Sequence, residues 1–296
     1  MSKIETKTLL IMNDNLLGEL SVRIFGGRAD APFVFCFTGF MGAPGNDYSF
    51  LAQHLARSGY NVVIPDFFGR GDSSFFGEAT AYRPRNVLIW MDRIISSFEK
   101  KKWAIIGSSW GGLMCAFYLN LGKQMPNALI LNDVALSSSN AASRGEFREQ
   151  VAEMCTVAFD NCEDAWEWSL EFANRLGYQR NYAIDINYFR QNYVYQSEGK
   201  FRFKIDSALI DVMKAAENYP YDISDHLQFS FPIAMLYGQD SWARDDRRLS
   251  ALKEKNKNVT VFGDLKGGHP PQLYDLEQRV VVQGFLDYAF NIGGDS

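Results

Sequence analysis

The sequence predicts a mostly parallel, eight-stranded α/β sheet with helices on both faces and one inserted helical segment. Three observations carry that prediction. Short unbroken apolar runs recur at residues 33–37, 61–64, 103–106, 128–131, 233–237 and 259–262. Such runs, as opposed to alternating ones, suit strands buried on both faces. Helix-patterned stretches separate them, as in successive βαβ units. The alternation breaks once, over about residues 136–225, where no run resembles a buried parallel strand.

In chain order, residues 8–12 and 19–25 flank Asn13-Asp14-Asn15 and Gly18 and read as an antiparallel hairpin that opens the sheet. Residues 50–57 before Gly59 and 113–121 after the 103–106 run carry amphipathic or buried helical patterns. Inside the interruption lie a helix-like stretch with Trp166, Trp168, Leu170 and Phe172, a polar and aromatic segment over 178–195, and another helix-like stretch over 207–217 before Pro220. The whole reads as a lid, giving a core in two parts, residues 1–135 and 226–296, around an insertion at 136–225. At about 150 residues per domain, 296 residues suit one large domain with such an insertion.

Hydrophobic residues make up 47% and charged residues 22%, which excludes a disordered chain, a collagen-like chain or a coiled coil. A formal net charge of −5 leaves no positive excess for neutralising phosphates, so nucleic acid is not an expected partner. Glu99-Lys100-Lys101-Lys102 reads as a solvated helix end. No apolar stretch approaches the roughly 18 residues of a membrane span, and the run at 9–12 is too short for a signal-peptide core. Cys36, Cys115, Cys155 and Cys162 form neither a disulfide framework nor a C-x-x-C pair, and a cytoplasmic location is expected. Aromatic residues reach 15%, a chain rich in bulky lining groups.

The chemistry concentrates at Gly107-Ser108-Ser109-Trp110-Gly111-Gly112, directly after the 103–106 run and before the helix at 113–121. This is the strand, tight turn and helix that G-x-S-x-G requires. A side chain at 107 or 111 is expected to collide with the neighbouring strand or helix, so the turn stays tight and Ser109 is pushed out at a helix N-terminus that favours developing negative charge. A hydroxyl there needs a base, and the chain has three histidines. His54 lies within a helical pattern and His226 where the insertion rejoins the sheet. His269, in Gly267-Gly268-His269-Pro270-Pro271 beyond the last strand, is placed to swing over the sheet's C-terminal edge.

With these motifs the chain resembles the α/β-hydrolase superfamily over nearly its whole length. The resemblance rests on the elbow at Ser109, the Thr38-Gly39-Phe40 turn, the loop Asp66-Phe67-Phe68-Gly69-Arg70-Gly71-Asp72-Ser73, Leu131-Asn132-Asp133 and Gly268-His269. It implies a nucleophile, an acid and a base in that chain order, a lid after the sixth strand, and oxyanion donors in the backbone amides of Phe40 and Trp110. The usual His-Gly of the oxyanion turn is Thr38-Gly39 here. For the acid it implies Asp240, in Gly238-Gln239-Asp240-Ser241, one position earlier than the family's Gly-x-x-Asp; the alternative is Asp133, the place from which some members supply it. Asp245 and Asp246 lie further along a polar stretch.

The expectation is therefore a serine esterase acting on small or medium apolar carboxylic esters, with Ser109, His269 and Asp240 or Asp133 at its centre. Neither cofactor nor metal is implied, since no ligand cluster, phosphate-loop Lys-Ser/Thr or dinucleotide-binding spacing occurs. The alternatives are a carbon–carbon bond hydrolase or a cofactor-free perhydrolase of the same fold, or a non-catalytic ligand-binding member. A dehalogenase would need a carboxylate at 109. Arg70-Gly71-Asp72 could suggest an adhesion motif, but its loop fits the hydrolase pattern.

Overall fold

The structure, a computed structural model, describes residues 3–13, 16–43, 47–138, 142–177, 184–216 and 221–292. Residues 14–15 of the expected first turn, and 139–141, 178–183 and 217–220 of the insertion, lie outside them.

The chain opens with two long antiparallel strands, β1 (Lys3–Asn13) and β2 (Leu16–Gly26), followed by β3 (Phe33–Phe37). Next come α1 (Ser49–Arg57), β4 (Asn61–Pro65), α2 (Pro84–Ser96), β5 (Trp103–Ser108), α3 (Ser109–Asn120) and β6 (Ala128–Asn132). The intervening segment holds α4 (Ala142–Thr156), α5 (Cys162–Arg175), α6 (Ile186–Asn192), the hairpin β7 (Val194–Ser197) and β8 (Lys200–Phe203), and α7 (Leu209–Ala216). The chain closes with β9 (Ile233–Gly238), α8 (Asp246–Lys255), β10 (Val259–Leu265) and α9 (Leu276–Ile292).

Eight strands form the main sheet in the order β1-β2-β4-β3-β5-β6-β9-β10, antiparallel at β1–β2 and β2–β4 and parallel elsewhere. The runs at 33–37, 61–64, 103–106, 128–131 and 233–237 are the inner strands β3, β4, β5, β6 and β9, whose two-residue period divides the core into two layers, whereas the run at 259–262 is β10, a partly exposed edge strand and not one buried on both faces. Phe35, Phe37, Ile105, Leu129 and Met235 point to the side covered by α2 and α3. Val34, Cys36, Ile106, Ile130 and Leu236 point to the side covered by α1 and α9. Each of these inner strands therefore buries both faces, and the parallel crossovers bring the loops after β3, β5, β6, β9 and β10 to one edge.

The segment between β6 and β9 leaves and returns through a short pairing of Ser137 with Asp222, with Ser138 N donating to Tyr221 O at 2.9 Å and Ile223 N to Leu136 O at 2.8 Å. Its own core is aromatic: Trp166 meets Phe189, and Trp168 stacks on Phe172 and tilts against Phe203. It meets the rest of the molecule at the loops after β3 and β4. Asp47 Oδ2 accepts from the hydroxyls of Tyr188 and Tyr193 at 2.6 and 3.1 Å. Arg70 forms an antiparallel bridge with Ile205, Gly71 N donating to Lys204 O and Asp206 N to Gly69 O, both at 2.8 Å. The segment sits against the C-terminal ends of β3 and β4. All four cysteines are free.

Candidate active site

The tight turn at Ser109 follows from sterics. β5 ends at Ser108, extended at φ −99° and ψ 133°, and the next residue, Ser109, opens α3 at φ 47°, in the left-handed region a side chain resists. The turn closes because a Cβ at Gly111 would lie 2.2 Å from Thr38 O, and one at Gly107 2.5 Å from Gly112 Cα. The collisions expected at 107 and 111 are those the backbone makes. Ser108 points inward, its hydroxyl accepting from Asn132 Nδ2 at 2.8 Å. Asn132 also donates to Pro271 O at 3.0 Å, tying β5, β6 and the loop after β10 together.

That loop delivers His269, whose Nε2 lies 2.8 Å from the Ser109 hydroxyl, in position to accept its proton. The imidazole is 8% exposed and its Nδ1 lies 3.4 Å from Oδ1 of Asp133. Asp133 is fully buried one step beyond β6, at φ 59°. Its Oδ1 also accepts from the Ser241 hydroxyl and its Oδ2 from Gly238 N at 3.3 Å. Serine hydroxyl, imidazole and buried carboxylate thus stand in series. In such a series the ring can take the hydroxyl proton while the carboxylate fixes its tautomer and stabilises the imidazolium.

Comparisons with known proteins agree with this architecture. Residues 32–154 match the family model described as the alpha/beta hydrolase fold. A Rickettsia typhi structure superposes with a TM-score of 0.80 at 20% identity, covering 97% of this chain and 99% of that one. An alpha/beta hydrolase from Novosphingobium aromaticivorans gives 0.75 at 22%, with the same coverage of each chain. The chain has the α/β-hydrolase fold. Among curated relatives, 3-hydroxybutyrate-oligomer hydrolase of Cupriavidus necator is 30% identical over 118 residues, 40% of each protein. Protein ABHD8 of Bos taurus is 23% identical over 202 residues, 67% of this chain and 43% of that one. The chain spans about two-fifths of the length of the curated relatives it matches.

The structure brings together Ser109, His269 and Asp133, and leaves Asp240 apart. Asp240 is exposed, and its carboxylate accepts from Gln239 Nε2 at 3.1 Å. The reason lies in the turn after β9: a Cβ at Gly238 would lie 2.4 Å from Gly268 O, so that glycine seats the His269 loop and the chain beyond it turns to solvent. What reaches inward from this turn is Ser241, onto Asp133. Phe40 and Trp110 lie side by side, their rings in edge contact at 5.5 Å, and Trp110 sits in the first turn of α3, where N–H groups lack intrahelical partners. Gly39 lies beneath, a Cβ there being 3.8 Å from Ser109 Cβ. The other histidines stand apart: His54 Nε2 meets Gln283 Oε1 at 2.8 Å between α1 and α9, and His226 is exposed.

Three participants escaped the sequence reading. Trp242 lies against the imidazole, ring centroids 4.3 Å apart and 45° inclined. Ser241 was noted only as the residue after Asp240. Arg70, passed over as part of a loop motif, is 1% exposed and donates from Nε to Phe40 O at 2.6 Å. Nothing in the sequence of that loop, which also holds Asp66, Asp72 and Ser73, marks Arg70 as buried.

Proposed function

We propose that this chain is a serine hydrolase of carboxylic esters, acting through an acyl-enzyme on Ser109. Ser109 Oγ attacks the carbonyl carbon as His269 takes its proton. The amides of Phe40 and Trp110 hold the carbonyl oxygen as it becomes an oxyanion, and collapse expels the alcohol, protonated by His269. Water, deprotonated by His269, then attacks the ester carbon and releases the acid. The role of the acid in the triad falls to Asp133, not Asp240. The observation that carries this reading is the 2.8 Å contact of Ser109 with His269, backed by a fully buried carboxylate at the far ring nitrogen.

The rings of Phe40, Trp110 and Trp242 around the reacting groups favour small or medium apolar acyl and alkoxy groups over sugars or charged peptides. Residues 136–225 act as the lid: their seat against the loops after β3 and β4 supports a role in shaping the pocket and excluding water. Four free thiols suit a cytoplasmic enzyme. A fluorophosphonate probe tests the core of the proposal, because it forms an adduct only with an activated serine. The expected result is one adduct, at Ser109 by peptide mass analysis, lost in Ser109→Ala, together with hydrolysis of p-nitrophenyl butyrate. Folded protein that neither labels nor hydrolyses graded p-nitrophenyl esters would favour a ligand-binding member of the fold.

A further inference from the structure

Arg70 is buried without the partner a buried cation ordinarily has. It is 1% exposed, and among the described residues no carboxylate forms an ion pair with it. Its Nη1 donates to Phe68 O at 3.0 Å and its Nε to Phe40 O at 2.6 Å, while Nη2 has no hydrogen-bond partner. The nearby carboxylate of Asp206 is engaged by the Tyr82 hydroxyl, by Gly77 N at 2.8 Å and by Ala208 N at 3.0 Å. Burial lowers the Arg70 pKa to about 10, so the guanidinium is still charged at neutral pH. Taking such a charge out of water costs several kcal/mol, roughly, before any compensation.

What surrounds that charge is the proposed oxyanion site. The guanidinium carbon lies 4.8 Å from the centroid of the Phe40 ring and 4.9 Å from that of Trp110. The turn carrying Phe40 is closed by Gly42 N donating to Gly39 O at 3.1 Å, and it rests on the arginine stem. A Cβ at Gly42, which is at φ 70°, would lie 3.0 Å from Arg70 Cβ and 3.2 Å from Cγ. One side chain therefore fixes the carbonyl of one donor residue and the rings of both, from a loop that pairs through its backbone with Ile205.

We propose that Arg70 is the positioning residue of the oxyanion site: it clamps the Phe40 turn against Trp110 and keeps beside them a positive charge, unspent on any carboxylate, that favours the oxyanion. The inference rests on the serine-hydrolase reading. In a water-poor setting such a preset charge acts on the tetrahedral species more than on the neutral ester. Other positions in the loop lack that ability: Phe67 and Phe68 are buried apolar neighbours, and Asp72 faces Lys204.

The test compares wild type, Arg70→Met and Arg70→Lys in steady-state hydrolysis of p-nitrophenyl butyrate, in affinity for a trifluoromethyl ketone that forms a charged tetrahedral adduct with the serine, and in thermal unfolding. Wild type lacking both hydrolysis and Ser109 labelling would remove the serine-hydrolase reading and this proposal together; an active wild type isolates the question of Arg70. For Arg70→Met, kcat is expected to fall about 10- to 100-fold with KM within about threefold, and ketone affinity to fall in step with kcat/KM. Lysine keeps the charge but not the fork, so Arg70→Lys should recover part of both losses. A raised KM at unchanged kcat would mean ground-state binding, and a lowered melting temperature at unchanged kcat and ketone affinity would mean packing alone; either overturns the proposal. If Arg70→Met does not fold, Arg70→Lys and Arg70→Gln decide by the same split.

Discussion

Ser109 and Asp133 both hold left-handed backbone, at φ 47° and 59°, and each is the first residue beyond its strand. Such a conformation costs a non-glycine residue about 1–2 kcal/mol, and here it turns two neighbouring strand ends toward one imidazole. The assignment of the acid is open to a direct comparison. Asp133→Asn should lower kcat by about 10⁴-fold, since the amide favours the wrong tautomer, while Asp240→Asn should change it by less than about threefold. Steady-state kinetics on both purified variants checks this; the opposite ranking would return the acid to the turn after β9. The meeting of Ser109 with His269 was legible because each position follows from a local rule, the glycine-framed turn and the one histidine beyond the last strand. The carboxylate beside the ring was legible only as the alternative Asp133, because proximity along the chain to the end of β9 favoured Asp240. Which carboxylate turns inward depends on Gly238 pressing against the backbone of 267–268, a contact between the end of β9 and the loop after β10.

At the scale of elements, inner strands were readable to within a residue or two because burial on both faces leaves no polar interruption. The hairpin β7–β8 was missed for a physical reason: its turn, Glu198-Gly199, has both residues at positive φ, 52° and 76°. Asn-Gly or Asp-Gly advertises such a turn in sequence, whereas glutamate hides it. Helix α4 was also not singled out. Its amphipathic pattern is weak, although Val151 and Met154 are buried. The attachment of the inserted segment could not be read at all, since it runs through Asp47, which is fully buried and accepts from Tyr188, Tyr193 and, at 2.9 Å, Ser49 N, with Arg23 Nη1 at 3.7 Å. Replacing that charge with a neutral amide weakens each of these contacts, and one hydrogen bond to a charged group is worth about 1.5–3 kcal/mol. Asp47→Asn is therefore expected to lower unfolding free energy by about 2–4 kcal/mol in urea and to speed amide exchange in α6 more than in α3. Equal exchange in the two helices would mean that Asp47 supports the sheet and not the inserted segment.

For the whole molecule, the α/β class and the interruption at 136–225 could be read from the spacing of apolar runs, but the order of strands in the sheet has a consequence in time. Ser109 lies at the centre, between β5 and α3, and His269 beyond β10, which is the last strand to be made and sits at the outer edge. They are 160 positions apart. At ribosomal rates of about 5–20 residues per second, a growing chain carries Ser109 for roughly 8–30 s before His269 has been polymerised. Throughout that interval the hydroxyl has no imidazole and Asp133 no ring to face. The nascent protein should be chemically silent toward the esters around it, its reactivity switched on by the docking of β10 beside β9. Ribosome-stalled chains ending before residue 259 are expected to take up no fluorophosphonate, and released full-length chains to label at once. Labelling of the stalled chains at Ser109 would show that the elbow reacts without its histidine.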